Sequence, residues 1–333
     1  MNNFLYLLLF WSIAVTANEN HVFDIRTKFS MKNIFCAIEH NDVIGVDNRV
    51  SAASGRGFGN GSVNSLLVLK NGENTVTITV AALGWFNLES KGTNKDINFN
   101  SESNCSLSIS KFNRNDGGMT PIIKFEVKIN KDGVPEAYVN GKLDNILEKK
   151  VETIKYSAGI IENKIYDVDF SEFPHEMKVY KFSKKFSING VPDWNWDKDS
   201  EFNNSEEQLI RLKKEYLIRW KLYNSKNINK IKELMMPALS NWSLATGSEI
   251  NDIFNSYGLE GIFNSKSFSM HPIDWDNFEV KVMNDGKLVK MVYKDDPSFS
   301  PLTMNYFDED DDESVEAFSP IFSLINNEWI EVL

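Results

Sequence analysis

The chain has few of the residues and motifs with which proteins carry out chemistry. Its 333 residues include two cysteines and four histidines. They contain no Cys-x-x-Cys pair, no His-Glu-x-x-His helix, no Gly-x-Ser-x-Gly nucleophile elbow and no phosphate-binding loop. Two cysteines alone are also too few to hold a structural zinc ion. We therefore expect no cofactor, no metal and no enzymatic activity.

Positive charge and long apolar runs are scarce as well. The formal net charge is −11, and an acidic surface repels nucleic acid and anionic lipid. This argues against both as unspecific partners and leaves a basic protein surface open as a partner. Beyond the first residues no apolar run approaches the ~18 residues expected of a membrane-spanning helix. We expect no stable membrane insertion of the mature chain.

The one long apolar run lies at the start, from Phe4 to Val15. Its length of roughly 12 residues falls short of the ~20 that span a bilayer and is typical of a secretory signal peptide. Val15-Thr16-Ala17 predicts cleavage before Asn18, although no Lys or Arg precedes the run. The alternatives are a buried first strand and an uncleaved anchor. We predict a signal peptide at 1–17 and a periplasmic mature chain.

The two cysteines are Cys36 and Cys105. In an oxidising periplasm an even pair predicts a disulfide, which would close a loop of about 70 residues. A crosslink of that span stabilises a fold by ~3–5 kcal/mol in the chain-entropy model. The alternative is two separate buried thiols.

The first half of the chain alternates between apolar and polar residues with a period of two, up to about Ile188. This pattern predicts eight or nine short antiparallel strands, typical of a sandwich of immunoglobulin or jelly-roll type over residues 18–199. The glycine-rich stretch 48–64 predicts an irregular loop. After the first strand, which starts near Val22, the strand candidates are 63–69, 75–83, 107–112, 122–129, 134–139, 154–160, 164–170 and 177–188.

Two turn signals punctuate these strands. Lys131-Asp132-Gly133 predicts a turn between 122–129 and 134–139, and Asn71-Gly72 predicts a hairpin between 63–69 and 75–83. The segment Leu69-Lys70-Asn71-Gly72-Glu73-Asn74-Thr75-Val76-Thr77-Ile78 resembles the Leu-x-x-Gly-Glu-Asn-x-Ile hairpin of carbohydrate-binding jelly rolls. The resemblance implies a hairpin more than it implies sugar binding.

The alternation ends in the segment 190–200. Pro192 is incompatible with a central strand, and polar residues continue to Asn204. We predict a domain boundary here, between 18–199 and 200–333. Trp194 and Trp196 are predicted either to pack across the interface or to form an exposed site for a partner, because aromatic residues are frequent interface hot spots.

Helices are predicted after this boundary. Ser205 is an expected N-cap, and Leu209, Leu212, Tyr216, Trp220 and Tyr223 form an apolar stripe that Ile210 and Leu217 widen. A second helix is predicted over 228–236, ending at Pro237, and a third over 248–257, ending at Gly258.

Strands follow the helices. We predict 278–283 and 287–293 around the turn Asn284-Asp285-Gly286, then 302–307, 315–325 and a last hairpin through Asn326-Asn327. Three helices followed by a meander that ends in turn-x-Trp-Ile resemble the nuclear-transport-factor-2-like cone domains. The resemblance implies an α+β domain whose curved antiparallel sheet wraps the first helix around an open pocket, a fold shared by enzymes and by binding proteins.

Two clusters in this second half carry side chains suited to a site. His271 is the one histidine among carboxylates, and a cone-fold enzyme could use it with Asp274 as a base and its orienting carboxylate; the alternative is a satisfied surface or loop histidine. The run Asp308-Glu309-Asp310-Asp311-Asp312-Glu313 lacks the glycine and the spacing of a calcium loop. It predicts either a solvated loop or an acidic prong that meets a basic surface on another protein.

An export signal, two domains, strong acidity and no catalytic motif resemble the exported immunity proteins of bacterial type VI secretion toxins. The resemblance implies a periplasmic protein that binds its cognate secreted toxin, a lipase or peptidoglycan hydrolase, and covers the toxin's active site. Trp194, Trp196 and the acidic run would supply contacts. The alternatives are a small-ligand carrier or enzyme that uses the cone pocket, and a carbohydrate-binding envelope protein.

Overall fold

The computed structural model describes residues 23–86, 97–144, 148–155, 176–198, 201–294, 297–308, 310 and 312–333. The predicted signal peptide and the strand predicted at 164–170 lie outside these ranges. Within them no helix has both the length and the apolar character needed to cross a membrane. We call residues 23–198 the first half and residues 201–333 the second half.

The first half consists of two antiparallel sheets, as the alternation predicted. The first sheet has the order β4-β1-β6-β7-β8-β9 and the second the order β10-β11-β5-β2-β3. The strands are β1 (Phe23–Lys32), β2 (Phe35–His40), β3 (Val43–Asp47), β4 (Gly59–Asn64), β5 (Gly72–Ala81), β6 (Asn104–Asn113), β7 (Met119–Ile129), β8 (Pro135–Val139), β9 (Lys142–Leu143), β10 (Glu148–Lys155) and β11 (Glu176–Ile188), with a short helix α1 (Arg49–Ala53).

Buried residues of both sheets form one hydrophobic cluster. Ile25 and Phe125 of the first sheet and Ile78 of the second belong to it and are fully buried. The predicted disulfide is confirmed: Cys36 on β2 and Cys105 on β6 are bonded, with their Cα atoms 6.3 Å apart. The bond therefore joins one sheet to the other inside the cluster.

The glycine-rich stretch 48–64 is not the irregular loop that the sequence predicted. It contains α1 and the edge strand β4, whose residues pair with β1, including Gly61 opposite Phe29. A Cβ atom on Gly61 would lie 3.0 Å from Cζ of Phe29. Glycine is present here because a ring of the neighbouring strand lies against the backbone, which is a packing requirement and not a turn signal.

The hairpin predicted at Asn71-Gly72 is also wrong. Residues 66–68 form a 3-10 helix, and β5 pairs with β11 and β2. The Asn71 side chain accepts hydrogen bonds from the backbone of Gly190 at 2.7 Å and of Val191 at 3.1 Å. The turn residue therefore fixes the end of β11, a partner distant in sequence. The turn predicted at 131–133 is confirmed, because it joins the paired strands β7 and β8.

The second half contains helices and two further antiparallel sheets. The third sheet has the order β12-β15-β16 and the fourth the order β13-β14-β17-β18. The elements are α2 (Asn195–Lys198) at the junction, α3 (Glu206–Asn224), α4 (Ile228–Thr246), α5 (Ile250–Asn255), α6 (Leu259–Asn264), β12 (Ser269–Met270), β13 (Phe278–Met283), β14 (Leu288–Tyr293), β15 (Leu302–Phe307), β16 (Glu313–Phe318), β17 (Phe322–Ile325) and β18 (Glu328–Glu331).

Local signals in this half are confirmed at several places. The Ser205 side chain accepts a hydrogen bond from the backbone of Gln208 and begins α3. The hairpin predicted at 284–286 joins β13 to β14, and the one predicted at 326–327 joins β17 to β18. These signals depend on residues with positive φ, such as Asp285 at 55° and Asn327 at 62°.

Helix ends were predicted less well. Pro237 lies inside α4 and does not end it. A proline removes one backbone bond, but the buried side chains on either side, such as Met235 and Leu239, hold both parts of the helix against the core. The third predicted helix ends earlier than Gly258, because α5 stops at Asn255, and Gly258, with φ of 65°, is instead the N-cap of α6.

Two further predictions about the second half are wrong. Ile210 and Leu217 do not widen the buried stripe of α3, because they are 58% and 39% exposed. The strand predicted at 315–325 is divided at Ser319-Pro320 into β16 and β17, which belong to different sheets. Proline cannot donate a ladder bond, and it marks the place where the chain changes sheet.

The two halves share buried surface. Ala245, Met283, Leu288 and Val332 of the second half belong to the same hydrophobic cluster that fills the first half. Asn284 in the β13–β14 turn donates its backbone N–H to the carbonyl of Asn41, at 2.9 Å. The predicted boundary at 199–200 therefore falls beside a packed interface.

Candidate functional site

Trp194 and Trp196 lie inside the shared core. They are 2% and 0% exposed, and their rings stack with centroids 6.4 Å apart and an interplanar angle of 14°. The indole N–H of Trp194 donates to the Leu69 carbonyl at 2.9 Å. This placement agrees with the packing alternative, because neither ring offers surface to a partner.

The acidic run forms the turn between β15 and β16, and Asp308 organises it. The Asp308 Oδ1 atom accepts hydrogen bonds from the backbone N–H groups of Asp310 and Asp312, both at 3.0 Å. The Ser314 hydroxyl donates to Oδ2 at 3.1 Å, and the Asp308 N–H donates to the Asp312 carbonyl at 3.0 Å. These hydrogen bonds lower the pKa of Asp308, and the bond from the backbone of Asp312 has the largest effect. The turn is thus folded around one ionised carboxylate.

This arrangement directs the other carboxylates outward. Asp310, Asp312 and Glu313 are exposed, whereas Glu309 and Asp311 lie outside the described residues. Phe307, which pairs with Glu313 at the base of the turn, is 45% exposed. We call Phe307, Asp308, Asp310, Asp312 and Glu313 the acidic tip. It combines an aromatic side chain with several negative charges on a hydrogen-bonded frame.

His271 and Asp274 are engaged separately. His271 is 5% exposed, its Nε2–H donates to Asn305 Oδ1 at 2.8 Å, and burial lowers the pKa of its imidazole. The Asp274 carboxylate accepts from the backbone of Asp276 at 3.1 Å and from the Asn277 amide at 3.3 Å, so it caps a short turn. Each side chain has a structural partner of its own.

Among the residues with described positions, no group of three or more His, Cys, Asp or Glu side chains is arranged to hold a metal ion. This holds for the acidic tip too, as far as its residues are described. In the frame of the tip, Asp308 accepts two backbone N–H groups and the Ser314 hydroxyl.

No family model, curated protein or solved structure matches this chain.

A buried ion pair that sequence reasoning missed lies between α3 and β18. The guanidinium of Arg219 donates from Nε to Glu331 at 2.7 Å and from Nη1 to Glu215 at 2.9 Å. The side chains of Arg219 and Glu331 are only 6% and 7% exposed. The sequence did contain a signal, because Arg219 lies between Tyr216 and Tyr223 at spacings of three and four on the apolar stripe.

This ion pair lines a cavity of about 80 Å³ between α3, α4 and the sheets, together with Tyr223, Tyr257 and Met235. Burial raises the pKa of Glu331, although the positive charge of Arg219 acts in the opposite direction. Burial also raises the pKa of Tyr257. Pockets for drug-sized ligands measure ~300–1,000 Å³. The cavity is therefore large enough for water or a very small molecule.

A larger groove lies between α3 and β13. Its volume is about 330 Å³, and the strand wall is formed by Phe278, Glu279, Val280 and Val282. The helix wall and floor are formed by Phe202, Asn204, Leu209, Lys213 and Met291. The sequence predicted both flanking elements but not the groove, because its volume depends on the distance between them.

Proposed function

We propose that this chain is an exported protein-binding protein of the immunity type, which neutralises a cognate secreted toxin by covering its active site. The acidic tip carries the proposal. Asp310, Asp312 and Glu313 are exposed on this turn beside the exposed ring of Phe307, and the turn itself is held by Asp308. A surface of this kind fits a partner with a basic rim around an apolar pocket.

Two physical effects would act in such a complex: the charges would orient the partner, and burial would remove water from the aromatic ring. Exposed charges of one sign speed the encounter with a surface of opposite sign and select its orientation. Aromatic side chains that become buried at an interface contribute much of the binding energy. Many lipases and cell-wall hydrolases work on anionic envelope components, and a basic rim around their active sites would match the acidic tip.

The disulfide supports the proposed compartment. Cys36 and Cys105 are bonded in the core, and such bonds persist in oxidising compartments such as the periplasm. Export itself remains a prediction from residues 4–17.

Two alternatives have less support. The carbohydrate hypothesis rested on the motif at 69–78. The side-chain amides of Asn71 and Asn74 in this motif are hydrogen-bonded to the protein's own backbone. The cavity beside Arg219 gives the small-ligand hypothesis little support, because the Arg219 guanidinium already binds Glu331 and Glu215. An anionic ligand there would have to displace a carboxylate from a site that is small.

The probe is the protein encoded by the gene adjacent to this one, which the proposal predicts to be a secreted toxin. The double variant Asp310→Lys/Asp312→Lys should lower the association rate constant at low salt by about 10–100-fold. The matched control is Asp132→Lys/Glu260→Lys, which makes the same change in net charge at exposed positions outside the acidic tip.

The outcome is measured by stopped-flow or surface-plasmon binding kinetics over a range of salt concentrations. The proposal is supported if the acidic-tip variant is slow and the control is normal. Equal rates for both variants, or no binding to that toxin by the unaltered chain, would contradict it.

A further inference from the structure

One side of α3 exposes aliphatic and basic side chains together. Ile210, Leu217 and Ile218 are 58%, 39% and 37% exposed, and Lys214 and Lys221 are exposed as well. Each lies three or four positions from the next, so all of them lie along one side of the helix. We call these residues the α3 face. A cluster of exposed aliphatic side chains flanked by charge is typical of a surface that binds another protein.

The charges on the α3 face are positive and unpaired. Glu207 and Glu215 belong to the same helix, but each has an arginine partner four residues further on, at 3.9 Å and 2.9 Å. Glu206 is exposed one turn before the face begins. Lys214 and Lys221 form no ion pair with any residue that the structure describes. On a chain with a net charge of −11, this local positive charge selects an occupant that carries carboxylates.

The acidic tip of this same chain has the matching composition. Phe307 is 45% exposed, and Asp310, Asp312 and Glu313 are exposed on the same turn. On the α3 face, aliphatic side chains lie between two lysines seven residues apart, which is a rise of about 10 Å along the helix. If the ring of Phe307 packs on those aliphatic side chains, acidic side chains of the tip reach the lysines on either side.

The acidic tip and the end of α3 are both bonded to the last turn of α6. The Phe307 N–H donates to the hydroxyl of Ser265, directly after α6, at 2.9 Å. Lys226, two residues after the end of α3, donates from its ammonium to the Phe263 carbonyl at 2.5 Å. Within one chain the described carboxylates of the tip form no ion pair with the lysines of the α3 face. Two surfaces at one end of a molecule can each meet the other on a second copy related by a two-fold axis.

We propose that the α3 face binds the acidic tip of a second copy of this chain, so that two contacts of the same kind form a two-fold dimer. A second copy fits because it carries an exposed aromatic ring and exposed carboxylates on one hydrogen-bonded turn. The dimer covers the acidic tip, so a toxin would have to displace the second copy. Self-association uses the acidic tip of the proposed function but does not require a toxin.

The dimer is expected to be weak. Each contact involves few residues, at the small end of protein interfaces, and the net charge of −11 makes two copies repel each other at a distance. In ~0.15 M salt the Debye length is ~8 Å, so this repulsion is screened while charges in contact still attract. A dissociation constant in the micromolar range is therefore expected.

Sedimentation velocity of the full chain at about 1–200 µM in ~0.15 M salt measures the dimer. Lys214→Glu/Lys221→Glu places acids opposite the acidic tip, and Asp310→Lys/Asp312→Lys places lysines opposite the α3 face. Each variant alone should weaken the dimer by about tenfold or more. An equimolar mixture of the two variants should form dimers again. In the mixture, one contact joins an unaltered tip to an unaltered α3 face, and the other joins new lysines to new glutamates.

The matched control is Lys131→Glu/Lys142→Glu, which makes the same change in net charge at exposed positions of the first half. It should leave the dimer unchanged. All variants should keep the melting temperature of the unaltered chain, because the substituted side chains are exposed.

An unaltered chain that is monomeric at every concentration would overturn the proposal, as would a mixture of the variants that stays monomeric. Flotation with phosphatidylglycerol vesicles that Lys214→Glu/Lys221→Glu abolishes would overturn it too, since the α3 face would then belong to a lipid surface. A dimer that does not bind the toxin contradicts the proposed function alone, whereas toxin binding by a chain that stays monomeric contradicts the dimer alone.

Discussion

The two halves of the chain satisfy their buried polar groups in different ways. In the first half Thr27, His40 and Ser65 form a neutral cluster, with Thr27 Oγ1 2.8 Å from His40 Nε2 and 2.6 Å from Ser65 Oγ. In the second half a buried ion pair joins Arg219 to Glu331, with side chains 6% and 7% exposed, more deeply buried than the Asp24–Arg114 pair of the first half, whose side chains are 10% and 24% exposed. Burying neutral side chains that hydrogen-bond to one another costs little free energy. Burying a charged side chain costs much more unless an opposite charge lies beside it.

The halves also differ in crosslinking. The first half has a disulfide between its sheets, whereas the second half contains no cysteine and its described part is stabilised by packing, hydrogen bonds and ion pairs. Strands β2 and β6, which lie far apart in sequence, are therefore joined covalently, whereas the long-range strand pairs of the second half are held by noncovalent contacts. Substitution can break this contrast between covalent and noncovalent stabilisation, and the largest effect is expected at the disulfide.

Removal of the disulfide should produce the largest loss. The double variant Cys36→Ala/Cys105→Ala should lower the free energy of unfolding by ~4 kcal/mol, because the bond closes a loop with a sequence separation of 69. Urea unfolding measures the loss. Amide exchange should accelerate more in β6 than in α3, and equal acceleration in both would contradict the proposed contrast.

Removal of one partner of the ion pair should lower the free energy of unfolding by somewhat less than removal of the disulfide does. Arg219→Met should destabilise the chain by about 3 kcal/mol, because Glu331 is left buried without its counter-charge. The double variant Arg219→Met/Glu331→Leu should recover at least half of that loss. Glu215→Gln is the control, since Glu215 is the more exposed partner. Equal unfolding free energies for the single and double variants would show that charge burial is not the cause.

The neutral cluster should make stability depend on pH. Burial lowers the pKa of His40 from 6.5 to about 4, so between these values the unfolded chain binds a proton that the folded chain does not. Stability from this group is therefore complete above pH 6.5 and is lost as the pH falls toward 4, by about 3 kcal/mol in total. Unfolding free energies measured from pH 4 to 8 should show this slope, and His40→Gln should remove it. An unchanged slope in His40→Gln would refute the assignment.

The smallest effect is expected at a glycine. Gly61→Ala should destabilise by about 1 kcal/mol, because the new methyl group meets the ring of Phe29 at 3.0 Å. Gly261→Ala in α6 is the matched control, since nothing lies within 4 Å of its added Cβ atom and a helix favours alanine. Thermal unfolding compares the two. The packing account fails if Gly61→Ala is as stable as Gly261→Ala.

Much of the fold could be predicted from local pattern, but contacts between distant residues could not. The alternation around β6, β7 and β11 predicted strands because side chains of a strand alternate between two faces. The same pattern gave no pairing partners, so the turn at Asn71-Gly72 was interpreted as a hairpin although Asn71 binds the end of β11.

Of the candidate sites, one could be found from the sequence and the others could not. The acidic run could be found from sequence because it is a continuous stretch of charge. Its frame around Asp308 depends on backbone directions that only the fold provides. The pair of Arg219 and Glu331 and the groove at β13 each join residues far apart in the chain, and no local pattern indicates such neighbours.

The amino-acid sequence by itself determined the strand-rich character of the first half, the caps and turns of the second, the pairing of the only two cysteines and the concentration of acid at 308–313. Each of these depends on the dihedral preference or chemistry of a few adjacent residues. Tertiary structure decided which strands pair, that Trp194 and Trp196 are buried, that Ile210 and Leu217 are exposed, and where a charge pair and a groove arise. Those outcomes depend on packing between distant segments, because burial belongs to a place in the fold and not to a residue type.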